Sequence, residues 1–202
     1  VGGSFFLSRL KNNVGMYLAL TGSRIKSSDA IELGIAEYFI ESENFDDIFK
    51  QLSAGITPDE VLPSFNSDKI NSDLKNDFEK INELFSGNSL EDIFGRMEND
   101  NSEFSQKNLS LLRSKSPTSL KITFRQIRNG SDLNFEDCMK MEFRMVSKVM
   151  DDHDFYEGVR ALIIDKDNTP AWKPENVEKI SDEEIDEFFK YLEDNELKFN
   201  TR

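Results

Sequence analysis

The chain has 202 residues, enough for one or two domains with a real core. Hydrophobic residues make up 37% and charged residues 32%, with a formal net charge of −14. That balance argues against nucleic acid or an anionic membrane surface as a direct partner, because both call for clustered Lys and Arg.

A single cysteine, Cys138, leaves no internal disulfide, and a single histidine, His153, leaves no histidine cluster for a metal. Neither a CxxC nor an HExxH pattern occurs, so no metal is expected. Cys138 sits among Phe135, Met139 and Met141, which suits a small buried hydrophobe better than a nucleophile. No run approaches the ~20 apolar residues of a membrane span, and the first residues carry no secretory or transit-peptide pattern. The acidic charge is spread over helix-like segments and reads as solvated faces. Phenylalanine, at 17 copies, supplies much of the possible core area.

Gly2-Gly3 predicts a tight turn with exposed amides at a helix start, a place suited to an anion or simply a loop entering a helix. Phe5, Phe6, Leu10, Val14, Leu18 and Ala19 predict one helix, stopped at Thr21-Gly22. Ser27 or Ser28 should cap the next, which carries Ala30, Ile31 and Leu33 and ends at Gly34. Ile35 to Ile40 reads as a short strand. Phe45, Ile48, Phe49 and Leu52 mark a short helix, and Thr57 with Glu60 offers a capping box. The polar stretch Ser64 to Ser72 is a candidate flexible loop.

Leu74, Phe78, Ile81 and Phe85 predict an amphipathic helix ending near Gly87. Leu90, Ile93, Phe94 and Met97 predict another from Ser89, and Leu109, Leu111 and Leu112 a third. Ser116-Pro117 opens a helix through Leu120, Ile122, Phe124 and Ile127, closed by Asn129-Gly130. Phe135 to Met150 is a long helix with a Met- and Phe-rich face, read first as packing and second as the wall of a ligand pocket. Ser181 with Glu184 caps a last helix through Ile185, Phe188, Phe189 and Leu192.

The most informative stretch is His153-Asp154-Phe155-Tyr156-Glu157-Gly158-Val159-Arg160-Ala161-Leu162-Ile163-Ile164-Asp165-Lys166-Asp167, followed by Pro170, Trp172 and Pro174. The acidic run Asp151 to Asp154 suits a helix N-terminus. Gly158 costs about 1 kcal/mol against alanine in a helix, which suggests close approach of a backbone or a ligand there. Phe155, Val159 and Leu162 share a helical face that should be buried, with Lys166 one turn beyond, at its rim.

This stretch resembles the C-terminal signature of 3-hydroxyisobutyryl-CoA hydrolases, a branch of the enoyl-CoA hydratase/isomerase (crotonase) superfamily. The opening Val1-Gly2-Gly3-Ser4-Phe5-Phe6-Leu7-Ser8-Arg9-Leu10 is similar to the same family, as are Leu20 to Lys26, Gly34-Ile35-Ala36 and Ser116 to Thr123. The resemblance implies a mainly α chain, the C-terminal part of a crotonase-like α/β fold. Residues 1–40 would close the core, 41–115 form a helical insertion, and 116–202 the C-terminal helical region. It places the family's catalytic Glu and Asp, and the glycine amides that hold the thioester oxyanion, ahead of Val1. No catalytic residue is therefore assigned within these 202 residues.

The implied function is hydrolysis of an acyl-CoA thioester in valine breakdown, in mitochondria. Coenzyme A would enter as part of the substrate, with no separate cofactor. Partners would be the N-terminal half of the same fold and the acyl-CoA, with a homo-oligomer as a further arrangement. Lys166 corresponds to a lysine that crotonases place near the CoA phosphates or adenine, and it is the CoA-binding candidate. The alternative for Lys166 is a solvated helix-end lysine complementing the dipole. A second function is also open, a non-catalytic crotonase-like subunit of a mitochondrial ribosomal small subunit, which would touch ribosomal proteins.

Overall fold

A computed structural model describes residues 1–67 and 71–199 of the chain. Among the described residues every regular element is helical. None of these helices is long and apolar enough to cross a membrane.

The expected single N-terminal helix is two, α1 (Gly3–Leu7) and α2 (Val14–Thr21). Asn12 and Asn13 between them have φ of 56° and 55°, left-handed values that break a helix and that asparagine tolerates. α3 (Ser27–Glu32) is capped by neither expected serine. Lys26 is its cap, and the Lys26 N–H donates to Asp29 Oδ2 at 2.8 Å.

The strand expected at Ile35 to Ile40 does not form. A strand exists only where its backbone groups find a ladder, and here they go elsewhere. The Ile35 and Ala36 N–H groups both donate to Ala30 O. Phe39 N–H donates to Asn66 Oδ1 at 2.9 Å, and Phe39 O accepts from Ser67 N–H.

α4 (Phe45–Ser53) and α5 (Pro58–Val61) follow, the second with the expected Thr57–Glu60 capping box. The stretch Ser64 to Ser72, expected as a loop, includes residues 68–70, which lie outside the described residues. At its ends, Ser64 belongs to a 3-10 turn and Ser72 is buried. A 3-10 turn at Leu74–Asp77 leads into α6 (Phe78–Phe85).

α7 (Leu90–Asn99), α8 (Glu103–Arg113), α9 (Pro117–Gly130) and α10 (Phe135–Val149) start at Ser89, Ser102, Ser116 and Asn134. Each cap accepts from the N–H three residues on, which satisfies a donor the helix start would otherwise orphan. α11 (His153–Val159) continues as a π-helical turn, Arg160–Ile164. α12 (Asp182–Asp186) has the expected Ser181–Glu184 box but passes into a 3-10 turn at Glu187–Phe189, so Leu192 lies outside it.

The chain divides into two compact units, Val1–Ser23 with Lys80–Arg202, and Arg24–Glu79. In the larger unit one core cluster joins Ile122, Met141, Met145, Ile180, Ile185 and Phe188. Val14, Ile81, Phe85, Ile93 and Leu112 are fully buried as well, and Tyr17 meets Phe85 edge-on at 5.3 Å. Two glycines let α1 in. A Cβ on Gly15 would lie 1.7 Å from Leu7 O, and one on Gly130 would lie 2.3 Å from Ser4 O. Gly130 is the last residue of α9 and has no left-handed φ, so it serves close packing and not the expected C-cap. Cys138 is buried, its Sγ 3.7 Å from Gly130 O, as its apolar neighbours suggested.

In the smaller unit Ile48 and Val61 are buried, while Phe45 and Phe49 of α4 are exposed. Buried Asp29 accepts from Lys26 N–H, Ser72 Oγ and Leu74 N–H, which ties the two ends of this unit together.

Candidate functional site

The signature stretch folds as a hub of charge-assisted hydrogen bonds. The inward face of α11 and the π-helical turn after it is Asp154, Gly158 and Ala161, one register away from the expected Phe155, Val159 and Leu162. Phe155 is 40% exposed and Leu162 is 61% exposed, so the expectation that this face is buried is overturned. The reason lies in what the inward positions meet. Asp154 Oδ2 accepts from Ser116 Oγ at 2.6 Å, and Asp154 Oδ1 accepts from Lys173 N–H at 2.9 Å. A Cβ on Gly158 would lie 3.4 Å from Trp172 Cη2, so the close neighbour inferred at Gly158 is an indole ring and not a backbone. Trp172 is held in turn by its Nε1–H donating to Ser114 O at 3.0 Å. Polar and small residues fill the inside, and Phe155, Tyr156, Leu162, Ile163 and Ile164 are left facing out.

Arg160 gathers the segment that follows. Its Nε and Nη2 donate to the two oxygens of Glu157 at 2.9 and 2.8 Å. Its Nη1 donates to Asp165 Oδ2 at 2.7 Å and Asp167 Oδ2 at 2.6 Å, and Nη2 also reaches Thr169 O at 3.2 Å. Glu157 closes the loop from the other side by accepting from Ala171 N–H at 2.7 Å. The Arg160 guanidinium first, and the Ala171 amide second, hold Glu157 down at about 2. The same guanidinium and the Thr169 amide lower Asp167 below the usual carboxylate range.

Lys166 lies between the two aspartates that Arg160 holds. It is exposed, has φ of 57°, and forms no ion pair among the described residues. It follows the exposed residues Leu162, Ile163 and Ile164, so it does not stand at the rim of a buried patch as expected. His153 is peripheral, with Nδ1 3.1 Å from Asp154 Oδ1. No group of His, Cys, Asp and Glu suited to a metal occurs among the described residues.

A second feature lies at the chain start. The amides that Gly2-Gly3 was expected to expose to an anion already have one. Glu142 of α10 accepts from Gly2 N–H at 2.7 Å, from Ser4 N–H at 2.8 Å and from Ser4 Oγ at 2.5 Å. Burial works against ionising Glu142, and the Ser4 hydroxyl, Ser4 amide and Gly2 amide outweigh it, leaving the carboxyl below its ordinary range. Beside this contact is an apolar groove of about 670 Å³ lined by Val1, Met139, Phe143, Val146, Leu197 and Phe199 among others. Of the methionines on the expected Met-rich face of α10, Met141 lies in the core, Met139 lines the groove, and Met145 belongs to the core cluster and also borders the groove.

In the sequence Arg160 stands within the signature stretch without a role, and Glu142 is not singled out at all. The Asp165-Lys166-Asp167 alternation was a visible signal for a cation nearby. Nothing local marks Glu142, whose partners are 138 to 140 residues away.

Comparison with known proteins places this geometry. The family model for enoyl-CoA hydratase/isomerase matches residues 1–189. The chain belongs to that family. Among curated proteins it is similar to the mitochondrial 3-hydroxyisobutyryl-CoA hydrolases of Xenopus laevis (42% identical), Gallus gallus (43%) and Homo sapiens (39%). Each match covers 98% of this chain and 54% of the relative, so the chain spans about half the length of the curated relatives it matches. Among solved structures it superposes on a carnitinyl-CoA dehydratase from Mycobacterium thermoresistibile with TM-score 0.90 at 25% identity, covering 100% of this chain and 58% of that one. An enoyl-CoA hydratase from Rhodobacter sphaeroides gives TM-score 0.87 at 29% identity, covering 98% and 57%. The expected mainly α chain, the helical C-terminal part of a crotonase-like fold, is what the structure and these likenesses show.

Proposed function

We propose that this chain is the C-terminal part of a mitochondrial acyl-CoA thioester hydrolase acting on 3-hydroxyisobutyryl-CoA in valine breakdown. The observation that carries the reading is the 39–43% identity to hydrolases of that name over 98% of the chain. In this reading the catalytic carboxylates and the oxyanion-holding amides come from the part of the fold that the resemblance puts ahead of Val1. Preorganised amides of that kind stabilise charge as it develops on the thioester oxygen.

The role left to this chain is to complete the fold and to contact coenzyme A, with Lys166 facing a phosphate as a point charge. Its exposure, and the lack of an ion pair to it among the described residues, support that role. The groove beside Glu142 and the exposed residues Phe155, Leu162, Ile163 and Ile164 are apolar surface that the remaining half, or a second copy, would cover. The three-part division at about residues 40 and 115 belongs to the same proposal. No observation favours the ribosomal alternative.

The test is thioesterase activity, followed as free thiol released from 3-hydroxyisobutyryl-CoA. The polypeptide carrying the whole fold should turn over, and the 202 residues alone should not. Comparable turnover by these residues alone would overturn the division of labour. No turnover by the whole polypeptide would overturn the reaction.

A further inference from the structure

The residues on either side of the CoA-contact candidate are both acidic, and an anionic ligand approaching Lys166 would meet them as well. Asp165 and Asp167 turn their carboxylates to one partner, Arg160 Nη1, at 2.7 and 2.6 Å. The same guanidinium is fixed at its other edge by both oxygens of Glu157. Lys166 between them holds a left-handed backbone, φ 57°, and Asn168 repeats this with φ 55°. A lysine has no intrinsic preference for that region, so the surrounding bonds must enforce it. Those bonds are on the page. Arg160 takes residues 165, 167 and the carbonyl of 169, Asp167 Oδ1 accepts from Thr169 N–H at 2.9 Å, and Asn168 Nδ2 donates to Lys166 O at 3.2 Å.

We propose that Arg160 is a positioning residue for coenzyme A, which draws the carboxylates of Asp165 and Asp167 to one side and thereby sets Lys166 toward a CoA phosphate. The inference rests on the reading of Lys166 as a CoA contact and adds what makes that contact work. Two effects act together. The guanidinium draws two carboxylates that would repel the phosphate to one side and offsets part of their charge, and its planar fork fixes the backbone from which Lys166 projects. A lysine at position 160 would keep the charge and lose the fork, since an ammonium is a point charge without the rigid set of donors. The cost of misplacement falls on binding, because the partners of Arg160 within this chain are Glu157, Asp165, Asp167 and the carbonyl of Thr169, none of which is assigned a catalytic role.

The experiment is a double-mutant cycle in the polypeptide that carries the whole fold, with coenzyme A itself as the probe and affinity and stoichiometry read by titration calorimetry. Lys166→Ala should weaken CoA about 5- to 10-fold, the upper part of the range for one net hydrogen bond at an exposed site. Arg160→Lys should weaken it about 3- to 10-fold when Lys166 is present and less than twofold when position 166 is alanine, the non-additivity expected of residues acting as one unit. In turnover, KM for the acyl-CoA should rise by the same factor with kcat unchanged, whereas a merely structural loss would lower binding stoichiometry and the apparent kcat together. If Arg160→Lys does not fold, Asp167→Glu serves, because it keeps every charge and alters only reach, and its loss of affinity should likewise vanish in the Lys166→Ala background. Equal losses from Arg160→Lys with and without Lys166 would overturn the positioning role. So would unchanged affinity in Arg160→Lys while Lys166→Ala still binds weakly. No effect of Lys166→Ala would instead remove the CoA contact on which the inference stands.

Discussion

Two glycine-to-alanine changes in this protein should move stability in opposite directions, although both lie inside helices. Alanine favours a helix over glycine by about 0.5–1 kcal/mol, which counts as a gain in both variants. At Gly95 in α7 a Cβ meets nothing within 4 Å, so the gain stands. At Gly130 the Cβ would lie 2.3 Å from Ser4 O and 3.0 Å from Ser4 C. Both atoms are backbone, so no rotamer can relieve the clash. α1 is in addition pinned by Glu142 through three hydrogen bonds at its first residues, and by Arg9, which donates to Gly130 O at 3.0 Å and Leu133 O at 2.6 Å. Overpacking of a close-packed contact costs about 1–3 kcal/mol, and the lack of give argues for the upper end. Net of the helix gain, Gly130→Ala should lose about 2 kcal/mol and Gly95→Ala should gain about 0.5–1. Equilibrium urea denaturation followed by far-UV circular dichroism reads both. If Gly130→Ala were as stable as wild type or more so, the approach of α1 to α9 would not be as close as described.

Glu157 lies at about 2 against an ordinary 4.5, so its ionised form is stabilised by folding at neutral pH. That contribution is fully present above about 4.5 and is lost as pH falls toward 2, so stability measured by urea titration should drop more steeply across this window in wild type than in Glu157→Gln. Phe155 is 40% exposed, so Phe155→Ala should cost well below the ~3–5 kcal/mol of a fully buried aromatic, about 1–2 kcal/mol by thermal or urea unfolding. Glu142→Gln leaves one acceptor oxygen for three donors and removes their charged partner, so it should cost about 1–3 kcal/mol and expose the α1 amides to faster hydrogen exchange; unchanged exchange at Gly2 and Ser4 would count against the contact.

Helix starts were legible because their chemistry is local. Ser89, Ser116 and Ser181 cap the helices that the sequence assigned to them, each by a bond spanning three residues. What failed was non-local. The face of α11 was assigned from the apolar spacing of Phe155, Val159 and Leu162, but its inward side is fixed by Ser116, Trp172 and Lys173, which lie 14 to 38 residues from the positions they meet. The strand at Ile35 to Ile40 failed for a related reason, since apolar composition offers strand propensity and a ladder needs a partner. Gly2-Gly3 read correctly as an anion-seeking helix start. Its anion is a side chain of the same molecule, and no local pattern could name Glu142.

The charge of the chain explains why Lys166 could not be decided by counting. Glu157, Arg160, Asp165, Lys166 and Asp167 carry −1, +1, −1, +1 and −1, a formal sum of −1 within a chain of −14. A field of that sign attracts no anion, and salt screens whatever lies beyond about 8 Å. Any affinity for phosphate at this segment therefore depends on direction. The three carboxylates are all turned to one guanidinium, and the lysine forms no ion pair among the described residues. A ligand that needs only a positive field, such as a nucleic-acid backbone, gains nothing from such an arrangement. A ligand docked in one pose by the rest of a fold can place a phosphate against Lys166. Bond geometry, and not the number of charges, separates these two cases, and that geometry is held by Arg160.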